Sequence, residues 1–136
     1  MILFEINYFA VFVAAIIYLG VAALWYSPLL FSHAWLEENR MPASEMERRA
    51  RLAAMGYAGL AAIVLALGLA LLIRIAGVTN GVMGALTGLF AGALLSAPAA
   101  LPVYVFENRS LRLFLINEGM PVVALVIMGA VIGGWR

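Results

Sequence analysis

The chain has 136 residues, of which 66% are hydrophobic and 11% are charged, and its mean hydropathy is +1.07. A water-soluble domain is roughly 45–50% apolar and about 25% charged, so the composition excludes an ordinary soluble domain and indicates a membrane protein. The net charge is +1 with no basic stripe, so we expect no nucleic-acid partner. Cysteine is absent and histidine occurs once, so we expect no cofactor and no metal site.

Four segments are long and apolar enough to cross a bilayer, which requires about 20 mostly apolar residues. They are residues 6–26, 52–73, 81–106 and 111–135. We therefore predict an all-α, polytopic membrane protein. Its four transmembrane helices form a bundle, and residues 1–136 form a single domain.

The connection between the first two spans is the longest and has local structure of its own. Residues 28–39 are predicted to lie along the membrane surface. Ser44 and Glu47 have the spacing of a capping box, in which each side chain bonds the backbone N–H of the other residue. This pattern predicts a helix that starts near Ser44 and continues without interruption into the second span.

The positions of the arginines predict the orientation, because cytoplasmic loops are enriched in basic residues. Only Arg74 and Arg136 lie on the side of the chain termini. The connection between the first and second spans and the connection between the third and fourth spans hold the remaining six arginines, namely Arg40, Arg48, Arg49, Arg51, Arg109 and Arg112. We therefore expect these two connections in the cytoplasm and both termini outside.

Small residues recur at four-residue spacing in three of the spans, and such residues allow helices to approach closely within lipid. They are Ala54, Ala58, Ala62, Ala66 and Ala70 in the second span, Gly84, Gly88, Gly92 and Ser96 in the third, and Gly129 and Gly133 in the fourth. We expect the two long ladders to pack closely, either with each other or across a subunit boundary. A glycine-lined pore or ligand groove is the alternative.

Two prolines, Pro98 and Pro102, lie near the end of the third span. Each removes a backbone donor, so we expect a bend that fits the bundle. The alternative is an opened backbone that lines a polar cavity, as in the broken helices of transporters.

Glu118 is the only acidic residue that we place well inside a span, and such residues are functional candidates because their burial is costly. Asn117 lies beside it, and Ser96 and Tyr18 lie at a similar depth. These four residues form the candidate polar cluster. In one interpretation a neutral Glu118 bonds Asn117, Ser96 or Tyr18 and locks the bundle. In the other, Glu118 handles protons or cations.

Other polar and aromatic residues lie at the membrane boundaries. Arg109 and Arg112 are predicted to anchor their loop and to contact anionic lipid headgroups. His33 is predicted to be a solvated surface residue, and Glu5 and Arg74 lie near the same membrane face, where they can pair. The aromatic block at the end of the first span is predicted to be an interfacial anchor, and comprises Trp25, Tyr26, Ser27, Pro28 and Trp35.

Two blocks resemble a known family. The stretch Leu24-Trp25-Tyr26-Ser27-Pro28-Leu29-Leu30-Phe31, followed by Trp35, resembles the opening signature of a bacterial membrane family called domain of unknown function 1761. Residues 104–109 and 113–117 are similar to its second signature. The likeness covers nearly the whole chain. It implies a small protein of the bacterial inner membrane and implies no established activity.

Two functions follow from these patterns. The leading hypothesis is a non-enzymatic protein that acts through helix packing and assembly, as a homo-oligomer or as an accessory subunit among membrane lipids. The alternative is a small transporter or channel for a proton, an ion or a small solute, using the region of Glu118 and Asn117. An enzyme is not expected, because no pairing of a nucleophile with a base is visible and we assign no catalytic residue.

Overall fold

A computed structural model describes residues 5–27, 30, 34 and 48–135, and every regular element within them is a helix. Four helical spans follow one another along the chain. They are α1 (Tyr8–Trp25), α2 (Arg48–Ile75), α3 (Gly81–Phe106) and α4 (Leu111–Gly134). The capping box at Ser44, the surface segment 28–39 and His33 lie outside the described residues. The described part of α2 continues without a break into the second span.

Each span is long and apolar enough to cross a membrane. The mean hydropathies over an 18-residue window are 2.2 in α1, 2.5 in the Ala53–Ile75 part of α2, 1.8 in α3 and 2.0 in α4. The prediction of an all-helical chain with four candidate membrane spans is therefore confirmed. The observed helix limits agree with the predicted spans to within about two residues at most ends, which is the usual uncertainty of helix boundaries.

Local sequence explains where three of the helices begin. A polar side chain precedes each of them and accepts a hydrogen bond from the backbone N–H three residues later. The pairs are Asn7 with Ala10 at 3.2 Å, Asn80 with Met83 at 2.9 Å, and Ser110 with Leu113 at 3.0 Å. These caps fix the starts of α1, α3 and α4.

The ends of α2 and α3 are set by residues in the left-handed conformation. Gly77 has a φ of 72° and Asn108 has a φ of 55°. After Gly77, the N–H of Val78 returns to the carbonyl of Ile73 at 3.1 Å. This is the six-to-one bond of a Schellman motif, and the same motif follows α3. Both helices therefore end sharply, which keeps the α2–α3 and α3–α4 connections short.

α4 lies at the centre of the bundle and packs against each of the other three helices. α1 and α2 also pack against each other, whereas α3 is attached mainly to α4. The core between α1, α2 and α4 is built largely from alanine, with fully buried side chains at Ala14, Ala62, Ala66, Ala124 and Met128. We call the end with the α1–α2 and α3–α4 connections the loop end, and the opposite end the termini end.

The closest helix packing joins α3 to α4. A Cβ added at Gly84 would overlap the carbonyl oxygen of Gly129, and one added at Gly88 would overlap that of Leu125. At Gly92 it would lie 2.8 Å from the Cα of Val122. These glycines allow the two backbones to touch, as small residues do between helices in lipid.

One of our two expectations was that the two long ladders pack with each other. Within the chain they do not pack mainly with each other. The glycine ladder of α3 meets α4, and the buried part of the alanine ladder of α2, from Ala62 to Ala70, joins the core with α1 and α4. The physical reason is the pair Gly129 and Gly133, which gives α4 an equally flat face for α3. Ala54 is exposed.

The prolines of α3 follow a change of helix type. Residues Phe90–Ser96 form a π-helical segment, in which the N–H of Ala97 bonds the carbonyl of Gly92 five residues earlier. Pro98 is the second residue after this segment and has no N–H to donate. The irregularity divides α3 into a half held by its glycines and a half, Ala97–Phe106, whose buried residue is Tyr104.

Candidate functional site

The end of α1 is bound to α4 by Trp25. Its indole Nε1–H donates to the carbonyl oxygen of Ile116 at 2.8 Å. The ring also lies against Gly119, where an added Cβ would be 3.1 Å from it. A glycine at 119 therefore leaves room for the indole, and Trp25 is a packing residue of the bundle as well as a boundary aromatic.

Asn117 lies between two tyrosines from different helices. The Tyr26 hydroxyl, at the end of α1, donates to Asn117 Oδ1 at 3.0 Å. Asn117 Nδ2 in turn donates to the Tyr104 hydroxyl of α3, also at 3.0 Å. The one amide thus links α1, α3 and α4, and both its oxygen and its nitrogen have partners.

Tyr104 is the most enclosed member of this group, with 7% of its surface exposed. Its ring makes an edge contact with Phe114, with centroids 5.4 Å apart, and the guanidinium of Arg109 lies 5.1 Å from its centroid. Its hydroxyl donates to Glu118 Oε1 over 3.5 Å. Contacts on several sides hold Tyr104 in place, so its hydroxyl is fixed between Asn117 and Glu118.

Glu118 is half-buried, about 10 Å into α4 at 1.5 Å per residue. Within the described part of the chain, the Glu118 side chain has one hydrogen bond, the long one from Tyr104. The ion pairs found there are Arg74 with Glu5 at 3.4 Å and Arg109 with Glu107 at 3.8 Å. The expected pairing of Glu5 with Arg74 is thus confirmed, and no described arginine pairs with Glu118.

Pro121 changes the backbone at the same place. It lies inside α4 and has no N–H, so the carbonyl of Asn117, four residues earlier, has no helical donor. The Asn117 backbone oxygen and the Glu118 carboxyl group therefore place two acceptor groups on adjacent residues.

The predicted cluster is brought together only in part. Glu118 and Asn117 are adjacent, whereas Tyr18 packs against the hydrophobic core and has no hydrogen bond to Glu118 among the described residues. Ser96 is exposed and instead lines an apolar groove between α2 and α3. The π-helical turns rotate α3 at this point, which explains why a residue at similar depth does not face Glu118.

The remaining predicted residues lie around the loop end. Arg109 and Arg112 are exposed at the loop end. The Ser27 hydroxyl donates to the carbonyl of Leu24 at 2.6 Å, a bond within its own turn. Pro28 and Trp35 lie outside the described residues.

Sequence reasoning missed two residues of this site. Tyr104 is absent from the predicted cluster, although it contacts both Asn117 and Glu118. Pro121 was overlooked, although its position four residues after Asn117 is visible in the sequence. The signal for Tyr104 was its place in the second signature block, which also contains Asn117.

The arrangement restricts the chemistry that is possible. The donors run in order from Tyr26 to Asn117 to Tyr104 to Glu118. Asn117 interrupts a proton relay along this chain, because a neutral amide does not readily exchange the proton it donates for the one it accepts. No group of three or more acidic or histidine side chains that could hold a metal ion occurs in the part of the chain that the structure describes.

These features define the class: a polytopic, all-helical membrane protein in which residues from α1, α3 and α4 meet in a polar cluster at the loop end. The chain belongs to the family of proteins of unknown function DUF1761, whose model matches residues 9–133. The resemblance seen in the two signature blocks is thereby confirmed. No curated protein and no solved structure matches the chain.

The two signature blocks meet in space. Trp25 and Tyr26, from the first block, bond Ile116 and Asn117, from the second. The residues that carried the family resemblance are thus the ones that join the first helix to the last.

Proposed function

We propose that this protein acts through assembly in the membrane, as a homo-oligomer in which a helix of a second copy docks between α2 and α3. The observation that carries the proposal is an open groove with an unpartnered glycine at its wall. The groove has a volume of about 390 Å³, and its lining is almost entirely apolar. Val64, Gly68 and Leu72 line it from α2, Ala91 and Leu95 from α3, and Leu125 from α4.

Gly68 supports this role by contrast with the glycines of α3. The glycines of α3 at 84, 88 and 92 each meet the backbone of α4, whereas a Cβ added at Gly68 would have nothing within 4 Å. A glycine within a helix costs about 1 kcal/mol relative to alanine. Close approach by a neighbouring helix in lipid would give Gly68 a function, and no helix in the part of the chain that the structure describes makes that approach.

Small residues continue along the same face of α2. Ala54 and Ala61 precede Gly68 at intervals of seven residues, and all three are exposed. A seven-residue spacing returns to nearly the same face of a helix. A second copy would therefore find a flat strip along α2 that leads into the groove.

The test compares two leucine substitutions at open glycines. Gly68→Leu fills the groove, and Gly20→Leu adds the same side chain to an exposed position of α1 where a Cβ would also meet nothing within 4 Å. Native mass measurement in lipid nanodiscs and crosslinking in membranes report the oligomeric state. We expect an oligomer for the native chain and for Gly20→Leu, and loss of the oligomer for Gly68→Leu.

Two results would contradict this proposal. A native chain that stays monomeric in several lipids would exclude a homo-oligomer. An oligomer that is unchanged by Gly68→Leu would exclude this groove as the interface.

We further propose that the protein is non-enzymatic and lies in the bacterial inner membrane with the loop end in the cytoplasm. The support for this orientation is the arginine distribution. Because the chain has no cysteine, single cysteines at Thr79 and Glu107 can be labelled selectively. In whole cells we expect an impermeant maleimide to label Thr79→Cys and to spare Glu107→Cys, and the opposite pattern would reverse the orientation.

A second candidate function is passage of a proton, an ion or a small solute at Glu118. One observation favours it: Glu118 has a single long hydrogen bond and no ion pair within the described residues. A purely structural carboxyl group inside a bilayer would be expected to have better partners.

Glu118→Gln separates this role from a structural one. The glutamine oxygen can accept the bond from Tyr104 as the carboxyl oxygen does, so we expect the bundle to fold. Flux into vesicles should fall if Glu118 carries the solute and stay unchanged if Glu118 only fixes the bundle. Glu107→Gln at the exposed loop end is the matched control.

A further inference from the structure

We propose that a cavity at the termini end binds the headgroup of a zwitterionic membrane lipid, with Arg74 holding its phosphate group and Glu5 holding its ammonium group. The chemistry that the site recognises is a phosphodiester joined by a short linker to an amine. This cavity is separate from the groove at Gly68 and from the polar cluster at Glu118, so the lipid site depends on neither proposed function.

The cavity lies where the ends of three helices meet. Its volume is about 330 Å³, within the range of roughly 300–1,000 Å³ that is usual for small-molecule sites. Glu5 and Asn7 line it from the residues that precede α1, Ile73 and Arg74 from the end of α2, and Trp135 from the end of α4. The site therefore combines both signs of charge, an amide and apolar side chains in one cavity.

The Arg74 guanidinium lies in the cavity wall with donors that the protein does not use. Its Nε lies 3.4 Å from Glu5 Oε2, and 31% of the side chain is exposed. Within the described part of the chain, this guanidinium donates no hydrogen bond. A guanidinium has five N–H donors in a planar fork that matches the oxygens of a phosphate group. Arg74 can therefore bind a phosphate group while it keeps its contact with Glu5.

Asn7 adds a second donor to the same cavity. Its side-chain oxygen caps α1 by accepting from the N–H of Ala10 at 3.2 Å. Its amide nitrogen has no acceptor among the residues that the structure describes. A side-chain amide supplies two N–H donors. The cavity thus has donors from α2 and from the start of α1 for the oxygens of one anionic group.

Glu5 makes the site suited to a zwitterion and not to a simple anion. Its carboxylate lies beside the Arg74 guanidinium with 57% of the side chain exposed, so the two formal charges cancel. An ammonium group attached to the bound phosphate group would meet this carboxylate, and the four charges would alternate in sign. An anionic headgroup without an amine would instead bring a second negative charge close to Glu5, which is unfavourable.

The apolar part of the cavity and its depth favour a lipid over a soluble zwitterion. Ile6 and Ile73 line the same cavity as the charged pair, and each is less than a tenth exposed. The cavity lies at the ends of helices that are apolar enough to span a bilayer, which is the depth of lipid headgroups. Trp135 is of the residue type that is enriched at this depth. A lipid would cover the apolar wall with its glycerol and first methylene groups and keep its acyl chains in the bilayer.

The test measures lipid binding to the full chain in detergent by native mass measurement. Phosphatidylethanolamine and phosphatidylglycerol with identical acyl chains are titrated separately, so that only the headgroup differs. We expect one phosphatidylethanolamine per chain to bind roughly tenfold more tightly than phosphatidylglycerol, which is about the effect of one charged hydrogen bond. Equal binding of the two lipids by the native chain would overturn the proposal.

Two variants distinguish recognition of the headgroup from a general loss of structure. Arg74→Gln removes the partner of the phosphate group and should weaken binding of phosphatidylethanolamine by roughly tenfold or more. Glu5→Gln removes only the partner of the ammonium group, so the preference between the two lipids should disappear while phosphatidylglycerol binds at least as well as before. Glu107→Gln, exposed at the loop end, is the matched control and should keep the preference. A preference that survives Glu5→Gln would overturn the proposal.

A competition measurement identifies the source of the zwitterion. Glycerophosphoethanolamine has the same headgroup without acyl chains. Because it lacks the hydrocarbon that a lipid brings to the apolar wall, we expect it to bind at least roughly tenfold more weakly than phosphatidylethanolamine. An affinity equal to that of the lipid would overturn the assignment to a lipid and identify a soluble ligand with the same phosphate and ammonium groups.

Discussion

The Trp25 indole N–H donates to the backbone carbonyl of Ile116 at 2.8 Å, across 91 residues of sequence. The acceptor is a main-chain oxygen of α4, so the bond depends on the helix being in place and not on the side chain at 116. The next residue in each block forms a second bond, between Tyr26 and Asn117. Two successive residues of α1 are therefore paired with two successive residues of α4.

Trp25→Phe should destabilise the loop end. Phenylalanine removes the N–H donor, whose hydrogen bond contributes roughly 1 kcal/mol, and also the outer indole atoms that lie against Gly119. We expect a lower unfolding temperature in bicelles. Trp135→Phe is the control, because Trp135 is exposed at the termini end and makes an edge contact with Phe9 that phenylalanine can retain. Equal losses for the two variants would contradict a specific role for the N–H.

Asn117 and Tyr26 should be energetically coupled. We expect the variants Tyr26→Phe and Asn117→Ala to show a coupling free energy of roughly 0.6 kcal/mol in a double-mutant cycle, the average for such bonds within membranes. Folding free energies in bicelles provide the measurement. Tyr57→Phe with Asn117→Ala is the uncoupled control, because Tyr57 is exposed on α2. A coupling indistinguishable from this control would show that the bond adds nothing to stability.

The contact between α3 and α4 should tolerate no added side chain. Gly88→Ala would place a methyl group on the carbonyl of Leu125, so the helices must separate along the seam. We expect a loss of several kcal/mol or failure to fold, at the high end of the roughly 1–3 kcal/mol for overpacking. Gly20→Ala, in open space on α1, should be neutral or stabilising. Thermal unfolding of the two proteins is the comparison, and similar behaviour would show that the seam can relax.

The connection after α3 should require a residue that accepts the left-handed conformation. Asn108 has a φ of 55°, a conformation that costs most residues roughly 1–2 kcal/mol. We expect Asn108→Ala to destabilise the protein by about 1 kcal/mol and Asn108→Gly to be neutral or stabilising. Unfolding free energies of both variants test this, and equal effects of alanine and glycine would argue against a conformational cause.

The architecture could be predicted from the sequence because membrane spans are defined by length and apolarity. The limits of α3 at Gly81 and Phe106 follow from Asn80, Gly81 and the polar residues after 106. The small-residue ladders also identified packing surfaces correctly from Gly84 to Gly92 and from Ala62 to Ala70, whereas Ala54 and Ser96 are exposed. Their partners could not be assigned, because Gly84 is equally compatible with a flat alanine face and with a flat glycine face.

The candidate site was predicted less completely, for a geometric reason. Depth along the helices placed Ser96 and Tyr18 near Glu118, but depth does not determine the direction of a side chain. The π-helical segment Phe90–Ser96 shifts the face of α3 and moves Ser96 away. Tyr104 reaches inward from a position near the end of its helix, and a long aromatic side chain can do this because its ring is apolar and only its hydroxyl needs a partner.

The sequence separation of the loop-end bonds has a consequence for the order of folding. α3 and α4 are joined by a short connection and share a continuous glycine contact, so they can pack as soon as both are in the membrane. Trp25 and Tyr26 are synthesised long before Ile116 and Asn117, and their bonds wait for the last helix. The first helix of the chain is therefore expected to be among the last to settle into place.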